Sequence, residues 1–140
     1  MGVKETAMWF KKKEIISFDE VYLKISGMRF SHEYEILADG EEAELLFYEN
    51  GYWNEERIPE MRLRCSREEI LKLLNDCDVL RWDGFFGKHP RNVLDGEMFL
   101  FTAVVDEGKK IRAEGSENFP KHFSEFRKGL REILERESDA

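Results

Sequence analysis

Long apolar runs are missing from this sequence. No stretch approaches the roughly 18 residues that a membrane-spanning helix needs, and the first thirty residues lack the apolar segment of a signal peptide. The expectation is a soluble, cytoplasmic protein with no membrane partner. Cysteine is scarce as well, with two among 140 residues, too few for a disulfide framework. Cys65 closes an alternating strand pattern and Cys77 a helical one, so both read as small core hydrophobes in a reducing compartment. No His-x-x-His, His-x-His or Cys-x-x-Cys spacing is present, so no metal site is expected, and nothing calls for a cofactor. Gly-Lys-Ser/Thr and Gly-x-Ser-x-Gly are absent too, which removes the phosphate loop and the nucleophile elbow from consideration.

Positive charge is the remaining shortage. The chain carries a net charge of −8, and between Glu33 and Glu60 ten carboxylates face a single Arg57. Nucleic acid needs clustered Lys and Arg, so it is excluded as a partner of this stretch. A solvated sheet edge is the plain reading of the acidic run, and a surface for a basic protein partner is the alternative.

A chain of this length forms one domain, residues 1–140, and buries roughly 68% of the surface that its unfolded form exposes. Residues 1–13, with Met8-Trp9-Phe10 followed by three lysines, are set apart as a loosely attached N-terminal segment. Turn signals at Ser26-Gly27, Asp39-Gly40 and Asn50-Gly51 separate short alternating runs, the mark of an antiparallel meander. Met61, Leu63 and Cys65 share one face of a further strand. Ser66 and Glu69 then stand at capping-box spacing before a helix whose stripe is Ile70, Leu71, Leu73, Leu74 and Cys77.

Met98 to Val105, Asp106-Glu107-Gly108 and Lys109 to Gly115 make a hairpin. A last helix is expected to begin near Asn118-Phe119-Pro120 and to bury Phe119, Phe123, Phe126, Leu130 and Ile133. Gly129 inside it implies close approach of another element. The order predicts an α+β fold: a single antiparallel sheet of five or six strands, meander plus C-terminal hairpin, with two helices packed on one face. The other face is either solvated or concave around something.

The densest stretch of special residues runs from Trp82 to Gly96, with three glycines, a proline, a histidine, two aspartates and three aromatics. Asp83 and Asp95, each followed by glycine, could converge for acid–base or metal-assisted chemistry, although Asp-Gly is also ordinary turn chemistry. His89 precedes Pro90 on a backbone biased to extension, which makes it the best single catalytic candidate, with Glu114 as a further carboxylate. Trp82, Phe85 and Phe86 are candidate pocket walls. Tyr52 and Trp53, beside the Asn50-Gly51 turn, are candidate recognition anchors.

Trp82-Asp83-Gly84-Phe85, then Leu94-Asp95-Gly96, then Gly115-Ser116-Glu117-Asn118-Phe119-Pro120 resembles the Trp-x-Gly, Asp-Gly, Gly-x-Asn-x-Pro layout of small uncharacterised bacterial proteins. The resemblance spans Leu80 to Leu134, implies a bacterial source and brings no reaction with it. Two functional readings result. The first is a non-catalytic module that binds a small molecule or a protein; the second is a small hydrolase using His89 with Asp83 or Asp95.

Overall fold

A computed structural model describes residues 13–49, 58–94 and 96–138. Tyr52, Trp53, Asp95, the Asn50-Gly51 turn and residues 1–12 lie outside the described residues.

Among the described residues seven strands form one sheet: β1 (Phe18–Ser26), β2 (Ser31–Asp39), β3 (Glu42–Glu49), β4 (Met61–Ser66), β5 (Phe86–Gly87), β6 (Met98–Val105) and β7 (Lys109–Ser116). Their spatial order is β4-β3-β2-β1-β6-β7-β5. Every pairing is antiparallel except that of β5 with β7, which is parallel. The expectation of five or six strands is thus corrected to seven. The added one is β5, a two-residue strand inside the dense loop. Two residues carry no alternation, so β5 exists only because β7 offers an edge to pair with.

Helix α1 (Arg67–Asp76) starts as its cap dictates, Ser66 Oγ accepting from the Glu69 amide at 3.3 Å. The Glu69 carboxylate does not turn back to complete the box. It pairs instead with Arg136 of helix α2 (Phe123–Ser138), at 2.7 Å to Nη1. Helix α2 begins three residues after Pro120, because His122 sits at φ 69° and interrupts the turn that Pro120 opens.

Val21, Leu23 and Ile25 of β1 point to the same side as Phe99, Phe101 and Ala103 of β6, following the β1–β6 register. They form one core with Ile70 and Leu74 of α1 and with Phe126 and Leu130 of α2. The Phe126 ring meets Phe101 edge-on at 5.7 Å. The helices touch each other where Gly129 faces Leu73, and a Cβ at Gly129 would lie 2.5 Å from Leu73 Cδ1. Both helices therefore cover this one face, and among the described residues no helix lies on the opposite face of the sheet. None of the helices among the described residues is long and apolar enough to cross a membrane.

Candidate functional site

The dense loop leaves α1 through a 3-10 turn, Val79–Trp82, and Trp82 anchors it. Its ring is 2% exposed, packed edge-on against Phe101 at 4.9 Å and Phe126 at 5.4 Å, and its Nε1–H donates to the Lys121 carbonyl at 3.0 Å. Trp82 is a core residue that fixes the loop, and it does not line the groove described below. From that anchor the chain runs along β7. Asp83 Oδ1 accepts from the Arg112 amide at 3.1 Å, Gly84 N donates to the Arg112 carbonyl at 2.9 Å, and Glu114 N donates to the Phe85 carbonyl at 3.1 Å. The Asp83 carboxylate stands in for a strand carbonyl and helps to close the β7 edge.

Past β5 the loop is locked to the segment between β7 and α2. Gly87 and Gly115 approach the Asn118 carbonyl so closely that a Cβ on either would lie 2.2 or 2.3 Å from its oxygen. The Asn118 side-chain amide donates to the Lys88 carbonyl at 3.4 Å. Glu117 Oε1 accepts from the Glu97 amide at 2.6 Å, and the Glu97 carboxylate reaches Arg127 of α2 at 2.9 Å. The two glycine-bearing segments that stand out in the sequence are thus one packed unit.

His89 bridges that unit. Its Nε2 lies 2.5 Å from the Val93 carbonyl oxygen and its Nδ1 lies 2.7 Å from Ser116 Oγ. A carbonyl can only accept, so Nε2 carries the proton. In the neutral ring Nδ1 then accepts from the Ser116 hydroxyl. His89 holds the loop closed over itself and ties it to the end of β7.

The helix-free face becomes concave beside this unit, in a groove of about 520 Å³. Strand register explains its floor. Lys24 of β1, Leu100 of β6, Glu114 of β7 and Phe86 of β5 are successive cross-strand partners, one row running over four strands. Ser26, Met98 and Ser116 form the next row. Neighbouring strands lie about 4.8 Å apart, so each row is a continuous strip of side chains. Phe86 is 71% exposed and Met98 53%, and Leu94, at 96%, belongs to the loop that borders them. Glu114 is occupied by Arg112, whose Nη2 lies 3.0 Å from Oε2.

No protein-family model and no curated protein matches this sequence.

Of the candidates read from the sequence, the groove brings together His89, Glu114 and Phe86. Asp83 lies at the β7 edge, spent on the Arg112 amide, and Phe85 is half-buried against Phe99 at 6.1 Å. Among the described residues no group of three or more His, Cys, Asp or Glu is placed to hold a metal ion. Sequence reasoning missed Lys24, Met98 and Leu100, and set Ser116 aside for want of a Gly-x-Ser-x-Gly frame. One signal for them was available: β6 is apolar at nearly every position, whereas a strand with one solvated face alternates.

Asp39, Glu42 and Glu44 of the acidic run stand at the other end of the same face. Arg64 of β4 reaches Asp39 at 2.9 Å, Glu42 at 3.6 Å and Glu44 at 3.8 Å, and Arg62 lies 3.5 Å from Glu44. The Asp39 hydrogen bond, more than any other influence, pushes the Arg64 guanidinium above its ordinary pKa. Counter-charge that is scarce in the run itself thus arrives from the neighbouring strand.

Proposed function

We propose that this protein is a non-catalytic binding module whose ligand lays an apolar body in the groove over β6, β7 and β5. The observation that carries this reading is the pair Phe86 and Met98, large apolar side chains left in solvent along one concavity whose floor is Leu100. Contiguous exposed apolar surface on a small domain marks a binding site, and about 300 to 1,000 Å³ is the usual size of small-ligand pockets. Support for rigidity comes from the anchors below it. Trp82, the Gly87–Gly115 packing on Asn118 and the His89 bridge hold the walls before any ligand arrives. The same reading keeps the chain in a reducing, cytoplasmic setting, in line with two buried free thiols, and in a bacterial cell, in line with the resemblance of its C-terminal half.

Titration with an uncharged apolar fluorophore such as N-phenyl-1-naphthylamine tests it. Saturable binding is expected, lost in Phe86→Ser and Leu100→Asn and kept in Ile16→Ser, which alters an exposed side chain away from the groove. Binding that ignores the groove substitutions, or no binding, overturns the reading.

A hydrolytic reading is second, favoured by the 2.7 Å approach of Ser116 Oγ to His89 Nδ1 in the groove. The bond from Nε2–H to the Val93 carbonyl orients the ring and leaves Nδ1 facing the Ser116 hydroxyl. A fluorophosphonate reagent decides it: covalent labelling of the wild type that disappears in Ser116→Ala supports hydrolysis, and no labelling ends it.

A further inference from the structure

We infer that the ligand of this groove is a single-chain amphipathic anion, an alkyl carboxylate being the simplest member, held through its head by Lys24 and Lys88; this rests on the apolar-groove reading above. The argument begins with charge. The chain as a whole is at −8, yet the groove inverts that sign. Lys24 and Lys88 line it, and neither has an ion-pair or hydrogen-bond partner for its ammonium among the described residues. Glu114 is the sole carboxylate of the lining, and its charge is met by Arg112. Glu33, directly across from Lys24 in the β1–β2 ladder, is buried and accepts from the Tyr22 hydroxyl.

At the β4 end of this face the cations Arg62 and Arg64 are matched to carboxylates. Two unmatched lysines at the rims of an apolar strip therefore form a site for one negative charge attached to an apolar body. The lysines stand on opposite rims, Lys24 on β1 and Lys88 just past β5, so both fields converge over the Leu100–Glu114 floor. An anionic bilayer surface is the less suitable partner, because the remainder of this acidic chain is repelled by it, whereas a free amphiphile enters the groove alone.

Isothermal titration of the full chain with decanoate, decanol and decylammonium, below their aggregation concentrations, tests the inference. Decanoate is expected to bind at least tenfold more tightly than decanol, and decylammonium more weakly than either. Added salt should narrow the gap. Octanoate should bind about tenfold more weakly than decanoate, since two fewer methylenes are buried. In Lys24→Gln/Lys88→Gln, with unchanged circular dichroism and melting temperature, decanoate should lose its advantage over decanol. Equal binding of the three compounds by the wild type overturns the anionic head and leaves the apolar groove standing. Undiminished decanoate preference in the double variant overturns the role of the lysines. Binding of none of the three removes the groove reading itself. Binding to anionic vesicles that exceeds binding to free decanoate replaces the free amphiphile with a membrane.

Discussion

The two ends of the helix-free face share one sheet and one strand geometry, but they treat charge in opposite ways. Toward β4, Arg62 and Arg64 lie across from Glu44, Glu42 and Asp39, and the surface satisfies itself. Toward β5, Lys24 and Lys88 flank Leu100, Met98 and Phe86, and the surface leaves both cations without a carboxylate partner among the described residues and leaves Met98 and Phe86 exposed to water. A face that needed only solubility would resemble the first end throughout. The second end carries a cost in exposed apolar area that folding alone does not require, which is why the function is placed there.

The comparison breaks if the groove side chains turn out to hold the fold together. Trp82→Ala, which empties a core site beneath the groove, should cost about 3 to 5 kcal/mol in urea unfolding. Phe86→Ser, at an exposed position, should stay within about 0.5 kcal/mol of the wild type. A loss at Phe86 comparable to that at Trp82 would make Phe86 structural and remove the contrast.

Gly115→Ala sharpens the link between the groove and its scaffold. The new methyl would meet the Asn118 carbonyl at 2.3 Å and Phe99 Cε1 at 2.8 Å, so a loss of about 1 to 3 kcal/mol is expected, together with weakened binding of an apolar fluorophore. Normal stability with normal binding would show that the wall can shift freely.

His89→Ala removes the bridge from Ser116 to the Val93 carbonyl. Amide exchange over residues 88–94 should quicken while exchange in β1 and β6 stays unchanged, because the bridge secures a surface loop and leaves the core intact. Unchanged exchange in the loop would deny His89 its clamping role.

The smallest effect belongs to the other end. Arg64→Gln should leave ligand binding untouched and lower the melting temperature slightly at low salt, with the difference vanishing at high salt. A change in groove affinity would show that the two ends are coupled.

The legible part of the fold was local. Ser66 with Ile70 and Leu74 announces α1 and its buried side, and Asp106-Glu107-Gly108, all at positive φ, announces the β6–β7 hairpin. The spacing Phe123, Phe126, Leu130, Ile133 marks the inner side of α2, and Gly129 correctly signals a close neighbour, Leu73. The site was legible only in fragments. His89, Glu114 and Phe86 stood out, but Asp83 drew attention for chemistry while serving as a substitute strand carbonyl. Ser116 was set aside because no catalytic frame surrounds it. Its partner, His89, is 27 residues away in the chain.

The sequence by itself determined the strands, caps, turns and helical stripes, because each depends on residues within a few positions of one another. Only the tertiary structure decided β5, the pairing of Arg64 with the acidic run, and the row Lys24–Leu100–Glu114–Phe86. That row joins residues from four strands, and its members become neighbours through register, which a one-residue slip would turn to the opposite face. Local pattern chose which side chains face away from the core. Strand order and register chose which of them meet.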